Sequence, residues 1–142
     1  MDAETLDIAR RLVACKGWVW LPGMIACDVS RPTTWRRRLL SQGKVFGWKF
    51  DAIDGPVPRG PWHNLDEWVP DLDDDLTRLG VLAVVRRAYR DDSIGIAKFG
   101  SEWAVTVAYT EIASGDARMA ILRRGPTELA ALLAALEAAP HG

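Results

Sequence analysis

The stretch PDLDDD, residues 70 to 75, packs four aspartates into six residues. From Asp51 to Asp75 eight acids face a single base, Arg59. Carboxylates at this density could hold a divalent cation, as a metal-dependent nuclease would require. The spacing lacks the alternate ligands, the glycine and the distal glutamate of an EF-hand loop. Asp73, Asp74 and Asp75 also fall where a helix begins, and a helix N-terminus attracts acids through its dipole and its unpaired N–H groups. Capping is the better account, so no metal ligand or cofactor is assigned and a nuclease ranks last among the readings.

His63 is the second candidate. It lies in a proline-rich stretch just before Leu65-Asp66-Glu67, where a carboxylate could orient it as a general base. No G-x-S-x-G motif or reactive-cysteine context supplies a nucleophile, and no H-x-E or C-x-x-C pattern supplies a metal. A lone surface histidine is the default reading. His141 lies in the last two residues of the sequence, where fraying is expected.

The third candidate is basic. From Arg31 to Lys49 there are six bases and no acid, including Arg36, Arg37 and Arg38 beside Trp35, with Trp48 next to Lys49. Cations interleaved with aromatics suit phosphate contact and base stacking, as in a nucleotide site. On a strand, however, Arg36 and Arg38 project opposite to Arg37, so the triplet is not one patch. Charge placed on an edge strand to block aggregation is a sufficient alternative. The phosphate-cradling pattern G-x-x-x-x-G-K-[ST] is absent, which argues against an ATPase.

Composition narrows the classes further. The chain has 142 residues, 49% hydrophobic and 26% charged, with a formal charge of −1. That length fits one domain, residues 1–142, able to bury about 70% of its unfolded surface. The charge balance disfavours a general nucleic-acid binder. No apolar run approaches the roughly 18 residues that span a bilayer, and the acidic start MDAETLDIARR is unlike a secretory signal, so a cytoplasmic location is expected. Two cysteines, Cys15 and Cys27, then read as reduced packing thiols. Seven tryptophans are the unusual count, and they suit cores and interfaces alike.

Periodicity supplies the elements that must position these groups. Residues 3–15 read as a helix with Leu6, Ala9, Leu12 and Val13 on one stripe and Gly17 as its stop. The period then changes to two. Trp18 and Trp20 alternate with Val19 and Leu21, and Pro22-Gly23 is expected to turn this strand into a hairpin partner at 24–29. Strands follow at 35–40 and 45–50. Residues 51–71 hold four of the eight prolines without a sustained period and read as a long loop. A helix at 73–90 leads to strands at 93–99, 103–109 and 117–123. A last helix starts after Gly125-Pro126-Thr127, and its Leu129, Leu132, Leu133, Leu136 seam suits either the core or a homodimer contact. The expected class is α+β, in the order α-ββββ-α-βββ-α, as a meandering and mostly antiparallel sheet with helices packed on one face.

RRLVACKGWVWLPGM and VPDLDDDLTRLGVLAVVRRAY together resemble a set of small phage and prophage proteins. The residues that carry the resemblance begin with Gly17, Trp18, Trp20, Gly23 and Met24. They continue through Pro70, Asp71, Leu72, Asp74, Thr77, Gly80, Val85, Arg86 and Ala88, and end with LAALEAAP at 133–140. Residues 30–69 lie outside the likeness. It brings no catalytic residues with it. It implies a small accessory protein that acts on host machinery inside a bacterial cell, including counter-defence or host-takeover inhibitors.

The leading expectation is therefore a non-enzymatic binding protein that occupies the surface of a host or defence-system protein. Trp62, His63, Asp66, Glu67 and Trp68 are its candidate contact residues, because Trp and Arg dominate interface hot spots. The alternative is a small-molecule binder for a nucleotide or nucleotide signal, using Trp35, Arg36, Arg37, Arg38, Trp48 and Lys49.

Overall fold

Ten elements follow one another in a computed structural model that describes residues 1–28, 35–42, 48–53 and 68–140. In chain order they are α1 (Ala3–Ala14), β1 (Ile25–Asp28), β2 (Trp35–Gln42), β3 (Trp48–Ala52), β4 (Trp68–Pro70), α2 (Asp75–Tyr89), β5 (Gly95–Phe99), β6 (Glu102–Thr110), β7 (Ala117–Gly125) and α3 (Glu128–Glu137). The class is α+β and the order is the expected one. The strands, however, form two sheets instead of one.

Local chemistry starts each helix in the same way. A side-chain oxygen immediately before the helix accepts the N–H three residues on. Asp2 Oδ1 takes Thr5 N at 2.7 Å, Asp74 Oδ2 takes Thr77 N at 2.9 Å, and Thr127 Oγ1 takes Ala130 N at 3.1 Å. These bonds satisfy donors that a helix start leaves without a partner.

Contacts along the chain gather into two compact units, Met1–Val13 with Val19–Gly80, and Ala14–Trp18 with Val81–Gly142. In the first, four antiparallel strands run in the order β3-β2-β1-β4. Its core holds Ile8, Ala9 and Leu12 of α1, Met24, Leu39, Leu72, and all of β1.

Two expectations fail in this unit, for one reason. Residues 18–21 form no strand, and Trp68–Pro70, expected to lie within a loop, does. β1 has only two edges: β2 takes one and β4 takes the other, pairing Ala26, Cys27 and Asp28 with Pro70, Val69 and Trp68. No position remains beside β1 for Trp18 and Trp20. The Pro22-Gly23 turn still forms, with Gly23 at φ 91°, but Gly23 N donates to Leu39 O of β2. Pro70, which has no N–H, is tolerated because β4 is an outer strand.

The second unit is a meander, β5-β6-β7. Gly100 at φ 62° makes the tight β5–β6 turn. A bulge between Val105 and Thr106 shifts the β6–β7 register. α3 packs against β6 and β7, and Leu132, Leu133 and Leu136 are buried, so the leucine seam closes a core. Gly125 permits this approach: a Cβ there would lie 2.6 Å from the backbone nitrogen of Ala131.

Candidate functional site

β2 runs between β3 and β1, so its three arginines do not guard an edge. Each has a specific internal neighbour. Arg36 Nη1 lies 3.4 Å from Asp71 Oδ2, whose side chain is buried. Arg38 Nη2 lies 3.6 Å from Asp74 Oδ1, while its Nη1 donates to Gly23 O at 2.8 Å. Arg37 points to the other side of the strand. Only 3% of it is exposed, and its guanidinium sits 5.8 Å from the centroid of the Trp68 ring.

The acidic run is the other half of this arrangement. Asp71 Oδ1 accepts Asp73 N at 3.2 Å, and Asp73 Oδ2 lies 2.8 Å from the terminal amino group. Asp74 caps α2 and also accepts the Thr77 hydroxyl at 2.8 Å. Thr77 Oγ1 in turn accepts the N–H of Ile25 at 2.8 Å, which ties the helix start to β1. Asp75 pairs with Arg78. The two charge blocks, read separately along the chain, meet at two pairs, Arg36 with Asp71 and Arg38 with Asp74. Among the described residues no group of three or more His, Cys, Asp or Glu side chains could hold a metal ion.

The remaining sequence candidates fall as follows. Trp68, expected as an exposed contact, is 6% exposed within its sheet, and Trp48 is also buried. Trp35 and Lys49 take their places in β2 and β3. Trp62, His63, Asp66 and Glu67 lie outside the described residues. Neither Cys15 nor Cys27 is in a disulfide, and Cys27 is buried.

A surface that sequence reasoning passed over lies on the β6–β7 hairpin. Met119 is 58% exposed, Tyr109 and Ile121 are substantially exposed, and Ile112 in the connecting turn is fully so. Arg118 Nε donates to Glu111 Oε2 at 3.0 Å and its Nη2 lies 3.7 Å from Asp116, while Arg124 lies 3.7 Å from Glu102. Arg123 Nη1 donates to the Leu122 carbonyl at 2.7 Å. Exposed Tyr, Met, Ile and Arg together make a composition typical of interface centres more than of an ordinary solvated strand. The signal available in sequence was ARMAILRRG itself, a four-residue apolar run flanked by three arginines with no acid.

Two groups with shifted titration lie in this hairpin's unit. Ser93, through its hydroxyl and its N–H, holds the Asp91 carboxyl below the ordinary value of 3.8. Burial pushes the Tyr89 phenol above 10, despite the opposing field of Arg123, and its hydroxyl donates to Ala135 O at 2.8 Å. No helix among the described residues is long and apolar enough to cross a membrane. No family model, curated protein or solved structure matches the chain.

Proposed function

We propose that this chain is a non-catalytic binding protein of the phage accessory type, which acts by covering the surface of a host or defence-system protein. The observation that carries the reading is the exposed β6–β7 hairpin, with Met119 and Ile121 on one face, Tyr109, Arg118 and Arg123 on the other, and Ile112 in its turn. Large apolar side chains gathered on one hairpin leave area that association would remove from water. Trp62, His63, Asp66 and Glu67 stay with the proposal as candidate contacts by residue type alone. A counter-defence or host-takeover inhibitor is the form of activity that this reading favours. The nucleotide alternative has less behind it, because Arg36 and Arg38 face Asp71 and Asp74 and Arg37 is buried.

The test is capture of a bacterial protein by the immobilised chain, repeated with a Met119→Glu, Ile121→Glu double variant. The proposal expects one stoichiometric partner that the variant no longer retains while its melting temperature stays within a few degrees of the parent. Retention of the same partner by the variant removes the β6–β7 surface from the proposal. A chain that retains nothing from any host lysate removes the association itself.

A further inference from the structure

β7 is the outermost strand of its sheet and nine residues long, with β6 on one side and no strand on the other among the described residues. An outer strand presents alternate N–H and C=O groups away from its sheet, the template on which an extended peptide adds as a further strand. Its side chains sort by face. The ladder pairs Met119 with Ala108, Ile121 with Thr106, Arg118 with Tyr109, and Arg123 with Val105. Residues opposite one another stand on the same side, so Met119 and Ile121 share one face and Arg118 and Arg123 the other. Most of the strand is exposed, including all three arginines.

Charge decides which strand would fit. β7 carries Arg118, Arg123 and Arg124 and no acid. Arg118 and Arg124 have carboxylates at 3.0 and 3.7 Å, whereas Arg123 has no carboxylate within ion-pair distance among the described residues. A second copy of β7 would bring three more arginines to the same seam, and like charges across a ladder are destabilising. An added strand that alternates acidic and apolar residues meets both faces: acids over Arg118 and Arg123, apolar side chains over Met119 and Ile121.

We infer, resting on the association proposed above, that β7 accepts an extended segment of a partner protein, alternating acidic and apolar residues, as a fourth strand of this sheet. Backbone hydrogen bonds would supply register and most of the affinity, and the arginine face would select against basic segments.

The test is fluorescence anisotropy with a dye-labelled nine-residue peptide that alternates Glu and Val. Controls are the peptide with Lys for Glu, and two Glu–Val peptides N-methylated on opposite sets of alternate amides. The Glu peptide is expected to bind at least about tenfold tighter than the Lys peptide, a difference of about 1.4 kcal/mol. One of the two N-methylated peptides should lose binding, since only one edge of the added strand faces β7. The Arg118→Glu, Arg123→Glu variant, altered only at exposed positions, should reverse the Glu-over-Lys preference.

Equal binding of both charge types, indifference to either N-methylation, or no binding of the Glu peptide overturns the inference. So does a concentration-dependent dimer, seen by sedimentation, that Met119→Glu abolishes, because a second copy then holds the edge. A partner captured through Met119 and Ile121 with no alternating peptide bound leaves the association standing and removes strand addition alone.

Discussion

β2 and β7 are the two arginine-rich strands of this chain, and they use the same side chain for opposite purposes. β2, WRRRLLSQ, is an inner strand with a neighbour on each side. Its arginines turn inward to named groups: Asp71 for Arg36, the Trp68 ring for Arg37, and Asp74 with the Gly23 carbonyl for Arg38. β7, ARMAILRRG, is an outer strand, and its arginines are exposed, with Arg118 and Arg124 paired to surface carboxylates. By sequence the β2 triplet is the more conspicuous cluster. What an arginine does here follows from the place of its strand in the sheet, because an inner strand surrounds its side chains with neighbours while an outer strand leaves them free to meet a partner.

The contrast can be broken most sharply at Trp68 and Met119. Trp68→Ala should lower unfolding free energy by about 3–5 kcal/mol, read from urea denaturation, since it removes a buried indole from beneath Arg37. Met119→Ala should stay within about 0.5 kcal/mol of the parent. Comparable losses at the two positions would return Met119 to the core and erase the distinction.

The glycines sharpen the same comparison from the backbone side. At Gly125 an added Cβ meets backbone of α3, which cannot yield locally, and Gly125→Ala should cost about 1–3 kcal/mol. At Gly80 the obstruction is the methyl of Met24, 2.6 Å away at the end of a flexible side chain. Gly80→Ala should therefore be neutral or stabilising by up to about 1 kcal/mol, the helix preference for Ala offsetting the displaced methyl. Thermal melts check this: Gly125→Ala should lower the melting temperature and Gly80→Ala should not.

A smaller effect separates the arginines themselves. Arg37→Met removes a cation held over Trp68 and should cost about 0.5–2 kcal/mol, whereas Arg123→Met should change stability by no more than about 0.5 kcal/mol. Paired urea titrations read the difference. The smallest effect is a pH dependence in the β5–β7 unit. Asp91 titrates below its ordinary value of 3.8, so its stabilising contribution is present above 3.8 and is lost as pH falls through the lower folded value. Ser93→Ala, which removes the hydroxyl donor, should lower stability modestly at neutral pH, where the contribution is present, and change it little below the folded value, so that the acid limb flattens.

Much of the fold was legible because its causes are local. The helix starts at Asp2, Asp74 and Thr127 each rest on a bond to the third residue onward, and within the acid run 73–75 Asp74 caps α2 and Asp75 opens it, while Asp73 meets the terminal amino group. The alternation of Trp103, Val105, Val107 and Tyr109 marked β6 for the same reason. Trp18 and Trp20 show the limit. Their alternation is that of a strand, but a strand needs a vacant neighbour, and β2 and β4 had already filled both sides of β1. Trp68 shows the converse: a three-residue segment without any period became a strand because β1 offered it an edge. The candidate surface on β7 was missed for want of the same information, since ARMAILRRG reads alike as an inner or an outer strand.

The amino-acid sequence by itself determined the α+β class, the helix starts, the strands other than β4 and the faces of β6, all of which depend on residues a few positions apart. Tertiary structure alone decided that Arg36 meets Asp71, 35 residues on, and that the Ile25 N–H meets Thr77, 52 residues on. It also decided which strands are inner and which are outer. The physical reason is that such pairings depend on which strand edges and helix starts come together when the chain closes on itself, and no spacing within one segment encodes that choice.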